Sequence, residues 1–210
     1  MRVWSDTKRK KKYLKRRTLA MKGIIFNLLE QFVSENFDDQ TWDDILDQTT
    51  LISADIHISP KTYPDEDLVS LVVTANRILD IPVPELLKMF GRFSFPRLLK
   101  KYSVYQSEVK NALDFILDVD SVIHVEVKKL FHDAYLPKLN IKKIGKNQLE
   151  IEYLSKRKLC AFMEGLILGC TDHFQETVMF THEVCQHFGD EHCVVVVQFD
   201  KAEFCTPGVA

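Results

Sequence analysis

The sequence predicts an α+β fold: a helix-rich N-terminal lobe followed by a C-terminal lobe with an antiparallel sheet plus helices. Three observations carry this. Apolar residues recur at helical spacing from Met21 to His132. After Leu136-Pro137 the pattern changes to strict alternation across Gln148 to Ser155. Two further apolar segments, Thr177 to Val184 and His192 to Asp200, flank Gly189-Asp190, a hairpin-type turn. Helices grouped before strands favour segregated layers over alternating βαβ units.

Taken in order, Ile24, Ile25, Leu28, Leu29, Phe32 and Val33 share one face of a helix over Met21 to Asn36. Trp42, Ile45 and Leu46 do the same over Asp38 to Gln48. Tyr63-Pro64-Asp65 marks a turn, after which Leu68, Leu71, Val72 and Ile78 restore a helical period over Asp65 to Leu79. Asp80 to Pro84 is a proline-bounded break. A helical pattern resumes from Glu85 to Tyr102, with Gly91 and Pro96 predicting a junction inside it. Ser107 to His132 is the longest periodic run, through Ala112, Leu113, Ile116, Val119, Ile123, Val127 and Leu130. In the strand after it, Leu149, Ile151 and Tyr153 face one side and Glu150 and Glu152 the other. Leu159 to Phe174 is again helical. The expected organisation is a basic leader over residues 1–20, disordered or not native, and one domain over 21–200. That domain divides into an N-terminal helical lobe (21–84) and a C-terminal lobe (85–200), with a tail at 201–210.

Hydrophobic content of 46% and charged content of 28% are ordinary for a globular chain. No apolar run approaches the roughly 18 residues of a membrane-spanning helix. Five cysteines, an odd count, favour a reducing compartment over a disulfide framework, so the expected location is cytoplasmic. The net charge of −2 conceals an asymmetry. Residues 1–20 hold nine of the 28 basic residues and one of the 30 acidic ones, leaving 19 against 29. An acidic body argues against nucleic acid as the partner, and no membrane attachment is expected.

The most informative segment is Tyr153-Leu154-Ser155-Lys156-Arg157, with His124 lying 29 residues before Tyr153. In an extended chain, side chains at i, i+2 and i+4 share a face, so Tyr153, Ser155 and Arg157 converge as hydrogen-bond donors. Arginine grips carboxylates in a bidentate way. A donor triad opposite a helical histidine suits a cofactor with acid groups and a metal, and heme meets both demands. His124 by itself reads as a surface or core histidine, since nothing local separates it from His132.

The stretch from Asp120 to Phe174, and the opening Met21-Lys22-Gly23-Ile24-Ile25, resemble the heme–nitric oxide/oxygen-binding (H-NOX) family in its stand-alone bacterial form. The resemblance covers residues 21 to 200. It implies heme b between the two lobes, with His124 as the proximal iron ligand and Tyr153, Ser155 and Arg157 on the propionates. It further implies that Pro137 presses on the porphyrin face and that Ile25 packs on the heme. The family's Asp three residues before the histidine is Ser121 here, with Asp120 one place earlier. Oxygen-binding relatives carry a distal Tyr where this chain has Phe162 and a Trp where it has Leu29; Ser94 stands where they have Asn. An apolar distal pocket implies a nitric oxide (NO) sensor that discriminates against O₂. The family's mechanism is NO-driven release of the proximal histidine, read by a sensor histidine kinase or a cyclic-di-GMP enzyme. No Walker loop, nucleophile elbow or kinase signature points to catalysis by the chain itself.

Cys160, His182, Cys185 and Cys193 form Cys-x21-His-x2-Cys-x7-Cys, a donor set suited to tetrahedral Zn²⁺. Scattered buried cysteines are the plain alternative, and His187 and His192 are rival ligands in the same loop. A subgroup of the same family resembles the pattern, carrying zinc on three Cys and one His. The rival function is therefore a zinc–thiol redox sensor in which heme is secondary.

Overall fold

A computed structural model describes residues 19–53, 57–101 and 109–201. Most of the basic leader, the tail from residue 202 with Cys205, and the expected helical positions Tyr102 and Ser107 lie outside the described residues.

The chain enters as a short strand, β1 (Ala20–Lys22), which pairs antiparallel with β2 (Thr62–Pro64) in the register Met21↔Tyr63. Helix α1 (Gly23–Asn36) starts where β1 ends. A Cβ on Gly23 would lie 2.2 Å from the Ile58 carbonyl oxygen, so only glycine fits that junction. Helix α2 (Asp39–Asp47) is capped by Asp38, whose carboxylate accepts from the Thr41 amide at 2.6 Å. The expected turn at Tyr63-Pro64-Asp65 is instead β2 running directly into α3 (Asp65–Leu79). Asp65, Glu66 and Asp67 fill the first turn of α3, where the helix dipole favours negative charge. Phe26, Phe32, Val33, Ile45 and Leu71 interlock as the first core.

Helix α4 (Val83–Lys101) runs unbroken through Gly91 and Pro96, against the predicted junction. Pro96 removes only one helical N–H, the one that would serve the Arg92 carbonyl. That carbonyl faces Gly169 across a helix crossing, where a Cβ would approach it to 2.7 Å. The long helix expected up to His132 is three pieces among the described residues. Helix α5 (Ala112–Leu117) is capped by Asn111. A π-helical turn (Val119–Ile123) follows, and then α6 (His124–Leu130). The Asp118 carbonyl accepts from both Val122 (2.9 Å) and Ile123 (3.2 Å), which inserts a residue into the helical repeat.

The C-terminal sheet has the order β3-β4-β6-β5, antiparallel throughout. Its strands are β3 (Lys138–Gly145), β4 (Gln148–Leu154), β5 (Glu176–Val184) and β6 (Cys193–Lys201). Strand β3 lies outside the strands that the sequence pattern predicts. In the central pair, Leu149, Ile151 and Tyr153 lie opposite Val197, Val195 and Cys193, all buried. The β5–β6 connection is not a tight turn on Gly189-Asp190. It spans 185–192, with a 3₁₀ turn (Gln186–Phe188) and Gly189 at φ 106°. Helix α7 (Cys160–Phe174) packs on the sheet and crosses α4. A Cβ on Gly165 would sit 2.1 Å from the Lys88 carbonyl oxygen and one on Gly91 2.3 Å from that of Phe162, so the backbones touch there. Phe95 of α4 joins Met163, Ile167 and the sheet in a second core. Among the described residues no helix is long and apolar enough to cross a membrane.

Candidate ligand cavity and metal centre

A cavity of about 350 Å³ lies between the two cores. The first core supplies a wall of Ile24, Ile25, Leu68, Leu87, Phe90 and Phe162. His124 enters from the other side, on the first residue of α6, and Pro137 lines the loop beyond that helix. Tyr153, Ser155 and Arg157 gather with Lys22 and Tyr135 at a polar end. Residues 100 positions and more apart in sequence thus meet in one space.

His124 Nδ1 lies 3.2 Å from a carboxylate oxygen of Asp120, one helical turn earlier. A carboxylate only accepts, so Nδ1 carries the proton and Nε2 keeps the lone pair a metal needs. Burial holds the His124 pKa below its ordinary 6.5, against the pull of Asp120, so the ring is neutral near pH 7.

The triad is brought together, but not as three free donors. The Arg157 guanidinium takes the Asp65 carboxylate in two bonds, 2.7 and 3.0 Å, and donates at 2.6 Å to the carbonyls of both Tyr135 and Ala20. The Ser155 hydroxyl accepts from the Arg157 amide at 3.2 Å, and the Tyr153 hydroxyl accepts from the Leu159 amide at 3.1 Å. Burial pushes the Tyr153 phenol up to about 12, which keeps its proton available for donation. Of the expected distal residues, Phe162 lines the cavity, its ring 5.0 Å from that of Phe90. Leu29 and Ser94 are buried but are not among the lining residues, and the Ser94 hydroxyl donates to the Phe90 carbonyl at 2.7 Å.

An apolar slot, one neutral imidazole inside it and an arginine with hydroxyls at one end is the donor set a heme requires, so the residues fit that group. Sequence reasoning missed three partners. Asp65 and Tyr135 carry no local signal, because their contacts to Arg157 span 92 and 22 residues. Asp120 had one: a spacing of four residues on a helix, enough to predict its contact with His124.

Behind the Tyr153–Leu159 turn lies a second cluster. The ligand atoms of Cys160, His182, Cys185 and Cys193 all fall within 4.8 Å of one another. The Cys185 sulfur lies 4.0 Å from those of both Cys160 and Cys193. Tetrahedral Zn–S bonds of about 2.3 Å separate ligand sulfurs by about 3.8 Å, so little movement is needed. Without a cation, burial and the neighbouring sulfurs push the Cys160 and Cys193 thiols above their ordinary pKa. A bound metal reverses that by deprotonating the thiols it coordinates. His182 Nε2 is buried without a hydrogen-bond partner, an orphaned lone pair beside three sulfurs. The rival ligands are engaged or peripheral: His187 Nε2 meets the Lys158 carbonyl at 2.7 Å, and His192 Nε2 lies 3.8 Å from Glu152. These donors fit Zn²⁺.

Residues 22–182 match the family model described as Haem-NO-binding. Among solved structures, the chain is similar to the crystal structure of an H-NOX protein from S. oneidensis in the Fe(II)NO ligation state. Identity is 31% and the TM-score 0.80, covering 86% of this chain and 100% of that one. The Fe(II) unliganded H-NOX protein from K. algicida is 25% identical, with a TM-score of 0.79 over 86% and 97% of the two chains. The IWP-051-bound H-NOX from Shewanella woodyi in the Fe(II)CO state is 29% identical, with a TM-score of 0.73 over 90% and 99%.

Proposed function

The chain belongs to the haem-NO-binding (H-NOX) family, whose members are heme-based gas-sensor domains and not enzymes, and from that premise we propose that it is a nitric oxide sensor. It takes NO at ferrous heme b, discriminates against O₂, and regulates a separate signalling enzyme. The observation that carries this reading is the composition of the cavity: one neutral imidazole on one side, and a first-core wall without a hydroxyl. When bound, heme would supply a ferrous iron able to take both the His124 imidazole and the gas.

The chain's own residues do the rest. His124 Nε2 is the iron ligand. Tyr153, Ser155 and Arg157 hold the propionates, while Pro137 and Ile25 press on the ring. Bound O₂ gathers negative charge and gains from a distal donor, whereas NO gains little. Phe162 and Phe90 offer none, and the Ser94 hydroxyl is spent on its own helix. NO would loosen the hold of His124 on the iron, and an imidazole let go would slacken the π-helical turn and α6 together. The loop beyond α6 is tied to the β1–β2 pair: Lys22 Nζ lies 2.6 Å from Asp133, and Thr62 donates to the same carboxylate at 2.7 Å. A change at His124 is thereby delivered to the other lobe, giving the partner two states to distinguish. Family resemblance favours a sensor histidine kinase or a cyclic-di-GMP enzyme as that partner.

The test is the visible spectrum of the purified ferrous protein under argon, then in air, then with NO. The expected result is a Soret band indifferent to air and shifted by NO. A stable oxygen complex would overturn the discrimination, and no Soret band after heme reconstitution would overturn the heme reading. A second reading rests on the orphaned His182 Nε2: Zn²⁺ bound by Cys160, His182, Cys185 and Cys193, with thiol oxidation as a second input. If that channel acts alone, control of the partner follows oxidant and ignores NO.

A further inference from the structure

Glu164 is a buried carboxylate that the gas cavity does not use. It lies on α7 one turn beyond Cys160, with its side chain 8% exposed. An isolated buried anion is costly, and buried charges persist where they are paired. Glu164 has two partners. One oxygen lies 3.0 Å from Lys88 Nζ of α4, and the other lies 2.9 Å from His182 Nδ1 of β5. Because a carboxylate only accepts, His182 must carry its proton on Nδ1. The opposite nitrogen, Nε2, is then an unprotonated donor, and it is the buried atom without a partner beside the three sulfurs.

We propose that Glu164, itself fixed by Lys88, is the positioning residue of the second metal centre: it sets the His182 tautomer and aims Nε2 at a Zn²⁺ held by Cys160, Cys185 and Cys193. The proposal rests on the zinc reading given above. Glu164 touches no metal; it acts through His182. Outer carboxylates of this kind orient a ligand ring, raise its basicity and contribute ten- to hundredfold in metal affinity. The same link explains why an acidic residue occupies a face of α7 between cavity-lining Phe162 and Met163 on one side and Leu166 on the other. Helix α7 presents apolar residues to the cavity, glycines to α4 and one carboxylate to the metal loop.

The experiment measures Zn²⁺ affinity of the full chain by competition with a chromophoric chelator, and the Co²⁺ absorption spectrum as a report of the ligand set. Wild type, Glu164→Ala, Glu164→Gln and the surface control Glu183→Gln are compared, since Glu183 is exposed on the same strand. Glu164→Ala is expected to weaken Zn²⁺ binding by roughly ten- to hundredfold. Glu164→Gln keeps an acceptor for Nδ1 and should fall between Ala and wild type, with the wild-type Co²⁺ bands retained. Glu183→Gln should leave the affinity unchanged. If Glu164→Ala unfolds, Glu164→Gln decides alone, because a positioning role requires a weakened site with native ligation. A wild type that binds one Zn²⁺ together with unchanged Glu164 variants overturns the positioning role and leaves the zinc reading standing. A wild type that binds no Zn²⁺ at the reduced thiols overturns both.

Discussion

Arg157→Ala tests the arginine at the polar end of the cavity both as a structural keystone and as the proposed propionate ligand. The side chain is 9% exposed and its partner Asp65 14% exposed, so the pair is shielded from solvent. Four hydrogen bonds are lost, two to Asp65 and one each to the carbonyls of Tyr135 and Ala20. Removing one member of a buried pair strands the other charge, at a cost of about 3–5 kcal/mol. Partial exposure places the expected loss near about 3 kcal/mol. For a domain of this size, about 2–4 °C of Tm accompanies each kcal/mol, so the apo protein should melt roughly 6–12 °C lower. The assay is thermal and urea unfolding of apo Arg157→Ala, Asp65→Asn and the double variant. The double variant should recover part of the loss, because no charge remains stranded, giving a coupling of about 2 kcal/mol. Heme loss to an excess of apomyoglobin should also quicken in Arg157→Ala. A cost below about 1 kcal/mol with strictly additive variants would refute the argument, since that is how an exposed ion pair behaves.

Three further outcomes are expected. Phe162→Tyr places a hydroxyl in the first-core wall and should produce an oxygen complex detectable in the ferrous spectrum in air; an unchanged spectrum would mean that Phe162 does not overlook the gas. Gly165→Ala forces a methyl to within 2.1 Å of the Lys88 carbonyl oxygen and should cost about 1–3 kcal/mol, read as a lower urea midpoint with unchanged m. Lys22 and Thr62 hold the Asp133 carboxyl down from its ordinary 3.8 to about 2. A lowered carboxylate pKa means stability present above pH 3.8 and lost as pH falls toward 2, a window that Lys22→Met should narrow while NMR titration shows Asp133 moving part of the way toward 3.8, the Thr62 bond remaining.

The helices were legible wherever one face is apolar and the chain is locally consistent, as in α3, whose limits Asp65–Leu79 follow the periodic pattern. The cavity residues were legible through resemblance: His124, Pro137 and the Tyr153–Arg157 motif all line it, although helical period alone ranks His124 no higher than His132. What escaped has physical causes. Strand β3 is a sheet edge whose Lys138, Lys142 and Lys143 are exposed, so Leu139 and Ile141 are its only clear signal. The π-helical turn shifts the repeat by a residue, which a regular period cannot register. Pro96 reads as a break because sequence does not reveal that its orphaned carbonyl is accommodated against Gly169. Asp65, Lys88 and Glu164 are ordinary charges until the fold sets them against Arg157 and His182.

The crossing of α4 and α7 has a mechanical corollary. Interleaved side chains yield by changing rotamer and so absorb small displacements, but at Gly91 and Gly165 backbone rests on backbone and there is nothing to flex. Between Cys160 and Cys170, about 15 Å of α7 therefore acts as a stiff beam braced along one edge. Phe162 and Met163 line the cavity near one end and Ile167 and Cys170 near the other, and Cys160, its first residue, belongs to the cysteine–histidine cluster. A displacement of Phe162 would therefore move this stretch of α7 as one piece rather than being taken up within it.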